Sequence, residues 1–210
     1  MRTLNILNSY AGLGGNRKLW DGNIKVTAVE LDPEIAAVYK ELYPKDTVIV
    51  GDAHEYLLKH FREFDFIWSS PPCQTHSVLR LTFEHNGWAS VYPDMRLYQE
   101  IILLKHFFKG EYVIENVKPY YTPLIPPTFK INRHYFWSGD FLMAPGFDCT
   151  FTDIRDKPKE MAKLYGFDLD ILKKFNAYNK RKVLRNCVNP EIGKYIFDSI
   201  CNAKGADNHG

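Results

Sequence analysis

A single cysteine lies in a stretch whose neighbours suit it to nucleophilic chemistry. The segment Pro71-Pro72-Cys73-Gln74 follows an apolar run at residues 64–69, which has the composition of a buried strand. The two prolines end that strand and fix their own φ angles, so the thiol that follows lies on a stiff turn. A thiolate is both a strong nucleophile and a tolerable leaving group. The pattern predicts a presented nucleophile at Cys73, and the alternative is an inert thiol buried in a turn.

Three further strands are predicted before this segment in the sequence, and glycines or a carboxylate lie at the end of each of them. A glycine-rich turn at residues 11–15 follows the first strand and would let the backbone approach a ligand closely. Glu30 ends the second strand, where a carboxylate can hold the two hydroxyls of a ribose. Asp52 follows the third and could accept a hydrogen bond from an exocyclic amine such as adenine N6. Each feature has an alternative explanation. The glycines could form a plain tight turn, Glu30 could be a carboxylate near a helix start, and Asp52 could be a helix cap. Together the three strand ends suggest a nucleoside-containing cofactor.

Five predicted strands alternate with segments of helical pattern. The strands lie at residues 4–7, 25–30, 47–50, 64–69 and 111–115. Helices are expected at residues 16–20, 32–42, 55–60, 97–108 and 192–200. Strands separated by helix-length segments predict an α/β fold, with a mostly parallel sheet and helices on both faces. Ligands bind such sheets at the carboxyl ends of the strands, where all the residues above are placed.

The composition bounds the class of protein. The chain has 210 residues, of which 45% are hydrophobic, enough for one substantial core and at most one small appendage. The formal net charge of +2 is too mild to prove a polyanionic partner, although it permits one. Neither a signal peptide nor an apolar run long enough to span a bilayer is found, so we expect a soluble cytoplasmic protein without a membrane partner. The four cysteines (Cys73, Cys149, Cys187 and Cys201) include no CxxC pair, so neither a zinc site nor a disulfide framework is expected.

The order of these motifs resembles that of the DNA cytosine-5 methyltransferases, which use S-adenosylmethionine (SAM). The segment from Tyr10 to Gly15 is similar to the first family motif, with Tyr10 where phenylalanine is usual. Pro71-Pro72-Cys73-Gln74 matches the catalytic-loop motif, and Glu115-Asn116-Val117 matches the ENV motif. Further similarities are Asp94-Met95-Arg96-Leu97, then Arg133-His134-Tyr135 with tyrosine in place of the second arginine of an Arg-x-Arg motif, and Asn186-Cys187-Val188-Asn189-Pro190 near the end.

The resemblance implies a Rossmann-like SAM-dependent methyltransferase fold and a set of site residues. SAM would be the cofactor, S-adenosyl-L-homocysteine the product, and no metal would be needed. The implied catalytic residues are Cys73, Glu115 and Arg133. The implied cofactor-binding residues are Tyr10, Ala11, Gly12, Gly14, Gly15, Glu30, Leu31, Asp52, Ala53, Pro71, Asn186 and Val188. The implied substrate-binding residues are Gln74, Ser77, Asn116 and Tyr135.

The resemblance also implies a reaction. The thiolate of Cys73 would add to C6 of a cytosine flipped out of double-stranded DNA, and C5 would then take the methyl group of SAM. Glu115 would face N3, and Arg133 would hold the cytosine carbonyl or the surroundings of the nucleophile. The alternatives are a structural carboxylate for Glu115 and a surface cation for Arg133. Residues 75–93 would close over the flipped base, or they form a long surface loop.

The region that usually recognises the target sequence in this family is short here. We predict a catalytic domain at residues 1–138 and 185–202, a target-recognition-like insert at 139–184 and a tail at 203–210. The insert would contain helices at 159–165 and near 169–175. Basic and aromatic residues mix at 173–185, either to contact phosphates and bases or as a solvated charged face. So short an insert predicts low or short sequence specificity, or recognition by a partner chain.

Three functional hypotheses follow from the sequence. The leading one is a small SAM-dependent DNA cytosine C5 methyltransferase of bacterial or phage origin, of the kind found in restriction–modification systems. The second is methylation of an RNA cytosine, as in tRNA. The third is a non-catalytic module that binds SAM or nucleic acid, against which the intact Cys73 and Glu115 argue.

Overall fold

One seven-stranded sheet organises the protein. The computed structural model describes residues 2–78, 80, 89, 91–140, 142 and 157–203. Within them the strands are β1 (Leu4–Ser9), β2 (Ile24–Glu30), β3 (Thr47–Val50), β4 (Phe66–Ser69), β5 (Glu111–Val117), β6 (Phe129–Ile131) and β7 (His134–Ser138). They lie side by side in the order β3-β2-β1-β4-β5-β7-β6.

The sheet is mostly parallel, as the sequence predicts. β1 pairs in parallel with β2 and β4, while β3 and β5 extend the sheet in parallel on the two sides. Only β7 runs antiparallel, between β5 and β6. All five predicted strands are confirmed. The β6–β7 hairpin was not predicted, because β6 has only three residues and its partner is joined to it by the two-residue turn Asn132-Arg133.

Helices cover the sheet on both sides. Those described are α1 (Pro33–Leu42), α2 (Ala53–His60), α3 (Arg96–Phe107), α4 (Pro158–Tyr165), α5 (Ala177–Arg185) and α6 (Pro190–Ala203). Two 3₁₀ turns lie at Phe61–Glu63 and Ile171–Lys174, the second where a helix near 169–175 was expected. No helix in the described part of the chain is both long and apolar enough to cross a membrane.

The helix expected at residues 16–20 is wrong. This segment forms consecutive turns, in which Arg17 N and Trp20 N donate to carbonyls three residues earlier. Its polar side chains are bound elsewhere: Asn16 Nδ2 donates to Asn8 Oδ1 (2.8 Å) and Arg17 Nε to Asp46 Oδ2 (3.0 Å). These contacts to β1 and to the loop before β3 hold the segment against the sheet, so local helical bonding does not propagate.

Each face of the sheet has its own apolar core. On one face Trp68 and Phe136 pack with Ile192 and Ile196 of α6. On the other, Leu7 and Ile67 pack with α2 and α3. This two-sided burial explains why the parallel strands are almost continuously apolar.

The described part of the insert packs on the main body. Residues of α4 and α5, such as Met161 and Leu184, share a buried cluster with Leu13 and with Val38 of α1. The division into a catalytic domain and an insert stays a prediction. Most of the tail, residues 204–210, lies outside the described residues.

Candidate active site

The Pro71-Pro72-Cys73 segment is fixed to the neighbouring strand. β1, β4 and β5 are adjacent and parallel, so their carboxyl ends lie along one edge of the sheet. Asn116 Nδ2, near the end of β5, donates to the carbonyl of Pro71 (2.9 Å). After the cysteine, the amides of His76 and Ser77 both donate to the Cys73 carbonyl (3.0 Å). The stiff turn predicted from the prolines is therefore anchored on both sides of the thiol.

The surroundings of Cys73 place two charged groups near its thiol. Burial raises the pKa of Cys73 to about 11, with the negative charge of Glu115 as the next cause. Arg133 acts in the opposite direction and lowers the pKa of Cys73. The structure thus brings together the three residues that were predicted to be catalytic.

Charge substitutions at this site should change the reactivity of the thiol in opposite directions. Glu115→Gln removes a cause that raises the pKa of Cys73, so iodoacetamide should alkylate Cys73 severalfold faster at pH 8. Arg133→Gln should slow the same reaction, because only the thiolate reacts. Mass spectrometry of the Cys73 peptide measures both rates. Cys201, whose pKa is raised to about 12 by burial, then Glu111 and Asp198, is the internal control. Equal rates in both variants would contradict this electrostatic account.

Glu115 is held by a histidine that was not predicted as a site residue. His134 Nδ1 lies 2.5 Å from Glu115 Oε1, and the two residues are 8% and 7% exposed. In the antiparallel pairing of β5 with β7, Glu115 is opposite Phe136 and Val117 is opposite His134. Glu115 and His134 are therefore diagonal neighbours on one face, within reach of long side chains. The only signal in the sequence was the middle position of Arg133-His134-Tyr135.

Arg133 and Tyr135 lie in different surroundings. Arg133 is exposed in the two-residue turn between β6 and β7, and its carbonyl accepts from Lys118 N (2.7 Å). Tyr135 of β7 is paired with Asn116 of β5. Its side chain is buried in the core on the face of the sheet opposite to Glu115. Lys130 Nζ lies 4.7 Å from the centre of its ring. The structure does not bring Tyr135 together with Glu115, and its role in substrate binding stays a prediction.

The first glycine turn and Glu30 form a cradle with an open side. Glu30 Oε2 accepts from Gly12 N (2.9 Å) and Oε1 from Asp32 N (3.0 Å), and each oxygen keeps a further lone pair. Gly12 has a φ of +53°, and no atom lies within 4 Å of the position that a Cβ would take. Leu31 beside it is 69% exposed. Space for backbone approach, an acceptor and an apolar surface are what a nucleoside ligand needs here.

Two further strand-end residues have specific surroundings. Ser9, at the end of β1, is fully buried and its Oγ has no partner among the described residues. Asp52 Oδ1 caps α2 by accepting from His54 N (2.8 Å) and Glu55 N (3.2 Å), so the helix-cap alternative is observed. Its Oδ2 lies 3.5 Å from Arg96 Nη1. Asp52 is exposed, and a contact with adenine stays a prediction for it, as it does for its buried neighbour Ala53.

The motif at residues 186–190 packs against the glycine-rich motif at residues 10–15. A Cβ added to Gly15 would lie 2.3 Å from the carbonyl oxygen of Val188, so only glycine permits this approach. Val188 is buried, while Asn186 is exposed at the end of α5. This contact between residues far apart in the sequence agrees with the placement that the resemblance implied.

Gly15→Ala should therefore separate the two motifs. We expect a loss of roughly 1–3 kcal/mol in the free energy of unfolding, the usual cost of overpacking. Thermal unfolding with and without SAM measures the change and any loss of the shift caused by the ligand. Gly139→Ala, where a Cβ meets no atom within 4 Å, is the matched control. Equal melting temperatures for the two variants would show that the contact is not tight.

A buried carboxylate joins the ends of three elements and was not predicted. Glu100 of α3 is fully buried. It accepts from Tyr10 Oη (2.7 Å) and Ser69 Oγ (2.6 Å), and it lies 2.8 Å from His54 Nδ1. Burial and the charge of Glu100 raise the pKa of Tyr10, which therefore stays a neutral donor. The tyrosine that replaces the usual phenylalanine thus has a partner of its own.

The basic and aromatic segment gives weak support to a nucleic-acid contact. Phe175 is 3% exposed and packs in the core, so it cannot stack on a base. Lys173 Nζ pairs with Asp170 (2.6 Å) and Lys174 with Glu41. About half of the expected loop at 75–93 lies outside the described residues, and Cys149 lies outside them as well. Within the described part of the chain, no group of three or more His, Cys, Asp or Glu side chains could hold a metal ion.

Comparison with known proteins adds a family and a fold. A model of C-5 cytosine-specific DNA methylases matches residues 4–123. The Entamoeba histolytica methyltransferase EhMeth has a similar structure, with a TM-score of 0.60 and 10% identity over 97% of this chain and 99% of that one. A mutant DNMT2 of Spodoptera frugiperda aligns with a TM-score of 0.40 and 23% identity over 55% of this chain and 36% of that one. No match was found among the curated proteins.

Proposed function

Because the chain belongs to the C-5 cytosine-specific DNA methylase family, we propose that it methylates C5 of cytosine in DNA through a covalent bond between Cys73 and C6 of a flipped base. The observation that supports this most directly is that the charges of Glu115 and Arg133 both act on the thiol of Cys73, the first raising and the second lowering its pKa. A nucleophile, a proton donor and a cation at one strand edge are the groups that this reaction requires.

The glycine cradle fits SAM as the cofactor. When bound, SAM supplies an electrophilic methyl group on a sulfonium. Glu30 would hold the ribose hydroxyls with the lone pairs that Gly12 and Asp32 leave free. Leu31 would cover the adenine ring, and the buried hydroxyl of Ser9 faces this strand end without a partner among the described residues. Pro71, Asn186 and Val188 would complete the site from the other side.

The protein residues would act mainly on protons and on position. The thiol of Cys73 must lose its proton before it attacks, and Arg133 favours the thiolate, while burial and the charge of Glu115 oppose it. The proton that leaves the thiol would pass to the carboxylate of Glu115, which removes that opposition. As the thiolate adds to C6, electron density moves toward N3, and Glu115 would donate its proton there. C5 of the resulting enamine is then the nucleophile for the methyl group, after which a base takes the C5 proton and the thiolate leaves.

The proposed substrate is double-stranded DNA with the target base flipped out. A base inside a duplex cannot reach Cys73, so the base must leave the stack. The nucleotide would be contacted by Gln74, Ser77 and Asn116. The side chain of Asn116 also donates a hydrogen bond to the carbonyl of Pro71. The short insert would recognise few bases or would need a partner chain.

A methyl-transfer assay tests the proposal. The purified protein would be incubated with methyl-labelled SAM and, separately, with duplex DNA, single-stranded DNA and tRNA. We expect label in 5-methylcytosine of duplex DNA. Label in tRNA alone would replace the proposal with the RNA alternative. Binding of SAM without label in any substrate would favour a non-catalytic module. Bisulfite mapping of the DNA product would then give the target sequence.

A further inference from the structure

A short contact with His134 holds the side chain of Glu115 in the proposed catalytic site. The two side chains are 2.5 Å apart at Glu115 Oε1 and His134 Nδ1, and both residues are buried. Each of these two atoms can carry a proton, but a contact this short must contain one proton. Two protons would clash, and without a proton the lone pairs of the two atoms would face each other. One oxygen of Glu115 is thus occupied by the imidazole, and only Oε2 remains for another partner.

We propose that His134 is a positioning residue, whose Nδ1–H holds Oε1 of Glu115 and directs Oε2 toward N3 of the target cytosine. This inference rests on the proposed function, because it assigns a partner to the carboxyl that acts in that reaction. A carboxyl with one oxygen fixed cannot rotate to exchange its two oxygens. The oxygen that faces the base is therefore held in place before the substrate arrives, which lowers the reorganisation needed in the reaction.

The sheet in turn holds the imidazole of His134 in place. His134 is the first residue of β7, and its backbone pairs with Val117 of β5 and Ile131 of β6. Next to it on the same face, Phe136 stacks on Phe129 with ring centres 4.9 Å apart and an angle of 6° between the planes. The centre of the His134 ring lies 6.5 Å from that of Phe136. The position of Nδ1 is therefore set by strand pairing and aromatic packing rather than by a mobile loop.

The proton balance of the proposed step is simple. When the thiolate of Cys73 forms its bond to C6, the proton on Glu115 Oε2 moves to N3 and leaves a carboxylate. The Nδ1–H of His134 then donates to that carboxylate, and such a bond is stronger than one to a neutral acceptor. When the thiolate leaves at the end of the reaction, the proton returns from N3 to Oε2. His134 keeps its own proton throughout.

Two substitutions separate orientation from packing. His134→Asn places an amide donor at the δ position, where Nδ1 is now, whereas His134→Leu fills a similar space without a donor. The turnover number of His134→Leu should fall roughly 10- to 100-fold, the size of one hydrogen bond to a charged group. The KM for SAM should not change, and His134→Asn should recover most of the rate. Equal turnover of the Leu and Asn variants, or wild-type turnover in His134→Leu, would overturn the proposal.

The wild-type protein offers a second test that needs no variant to fold. Nitrogen-15 NMR of the imidazole distinguishes the two tautomers, and we expect the proton of His134 on Nδ1 in the free protein. A proton on Nε2 alone would overturn the proposal. A wild-type protein that binds SAM but methylates no substrate would instead reject the proposed function, since the tautomer can be measured without turnover. The two failures are thus distinguishable.

Discussion

Replacing Cys73 with alanine should abolish methyl transfer and prevent any covalent adduct with DNA that contains 5-fluorocytosine, while SAM binding stays intact. Fluorine at C5 cannot leave as a proton does, so an enzyme that attacks C6 remains attached to the base after methyl transfer. Loss of a catalytic nucleophile usually lowers turnover by a factor on the order of 10⁴ or more. Denaturing gel electrophoresis detects the adduct, and calorimetric titration measures SAM binding.

A second cysteine provides the matched control for this experiment. Cys201 lies in α6, half-buried against the core of the sheet. Cys201→Ala should keep both the adduct and turnover, because its thiol is not at the strand edge that holds Cys73. An adduct that persists in Cys73→Ala and disappears in Cys201→Ala would refute the assigned nucleophile.

The positions of the strand-end residues could be predicted because they depend on local patterns. Apolar runs located β1 to β5, and the rule that ligands bind at the carboxyl ends of parallel strands placed Cys73 and Glu115 near each other. The helix start at residue 32 was expected because proline suits the first helical turn, and a helix cap was the alternative given for Asp52; both aspartates cap their helices. Each of these steps needs only a few neighbouring residues.

The contacts that complete the site could not be predicted in the same way. His134 reaches Glu115 only because β7 returns antiparallel to β5, and that pairing depends on a hairpin whose first strand has three residues. The partners of Glu100 come from positions 31, 46 and 90 residues away in the sequence. No local pattern specifies such pairs, since register and helix packing determine them. The tyrosine at position 10 indicated a departure from the family, but not the partner that it would bind.

Removing the carboxylate of Glu100 should have the largest effect on stability. Glu100→Ala leaves the buried groups of Tyr10, Ser69 and His54 without their partner, and breaking a buried charged network typically costs about 3–5 kcal/mol. For a protein of this size, each kcal/mol corresponds to roughly 2–4 °C, so the melting temperature should fall by about 10 °C. Glu55→Ala on the exposed side of α2, where the partner is Lys59 at 3.5 Å, should change it little. Similar melting temperatures for the two variants would contradict the importance of the network.

The same network should make stability depend on pH in a defined direction. The hydrogen bond to Glu100 raises the pKa of His54, against the opposing effect of burial. A histidine whose pKa is raised by folding contributes stability that is fully present below its ordinary pKa of about 6.5 and is lost as the pH rises through the raised value. Glu100→Gln keeps the shape but removes the charge that favours protonated His54. The difference in free energy of unfolding between wild type and Glu100→Gln, measured with urea, should therefore be larger at pH 6 than at pH 9. An equal difference at the two pH values would mean that Glu100 supports the fold through its neutral hydrogen bonds to Tyr10 and Ser69 alone.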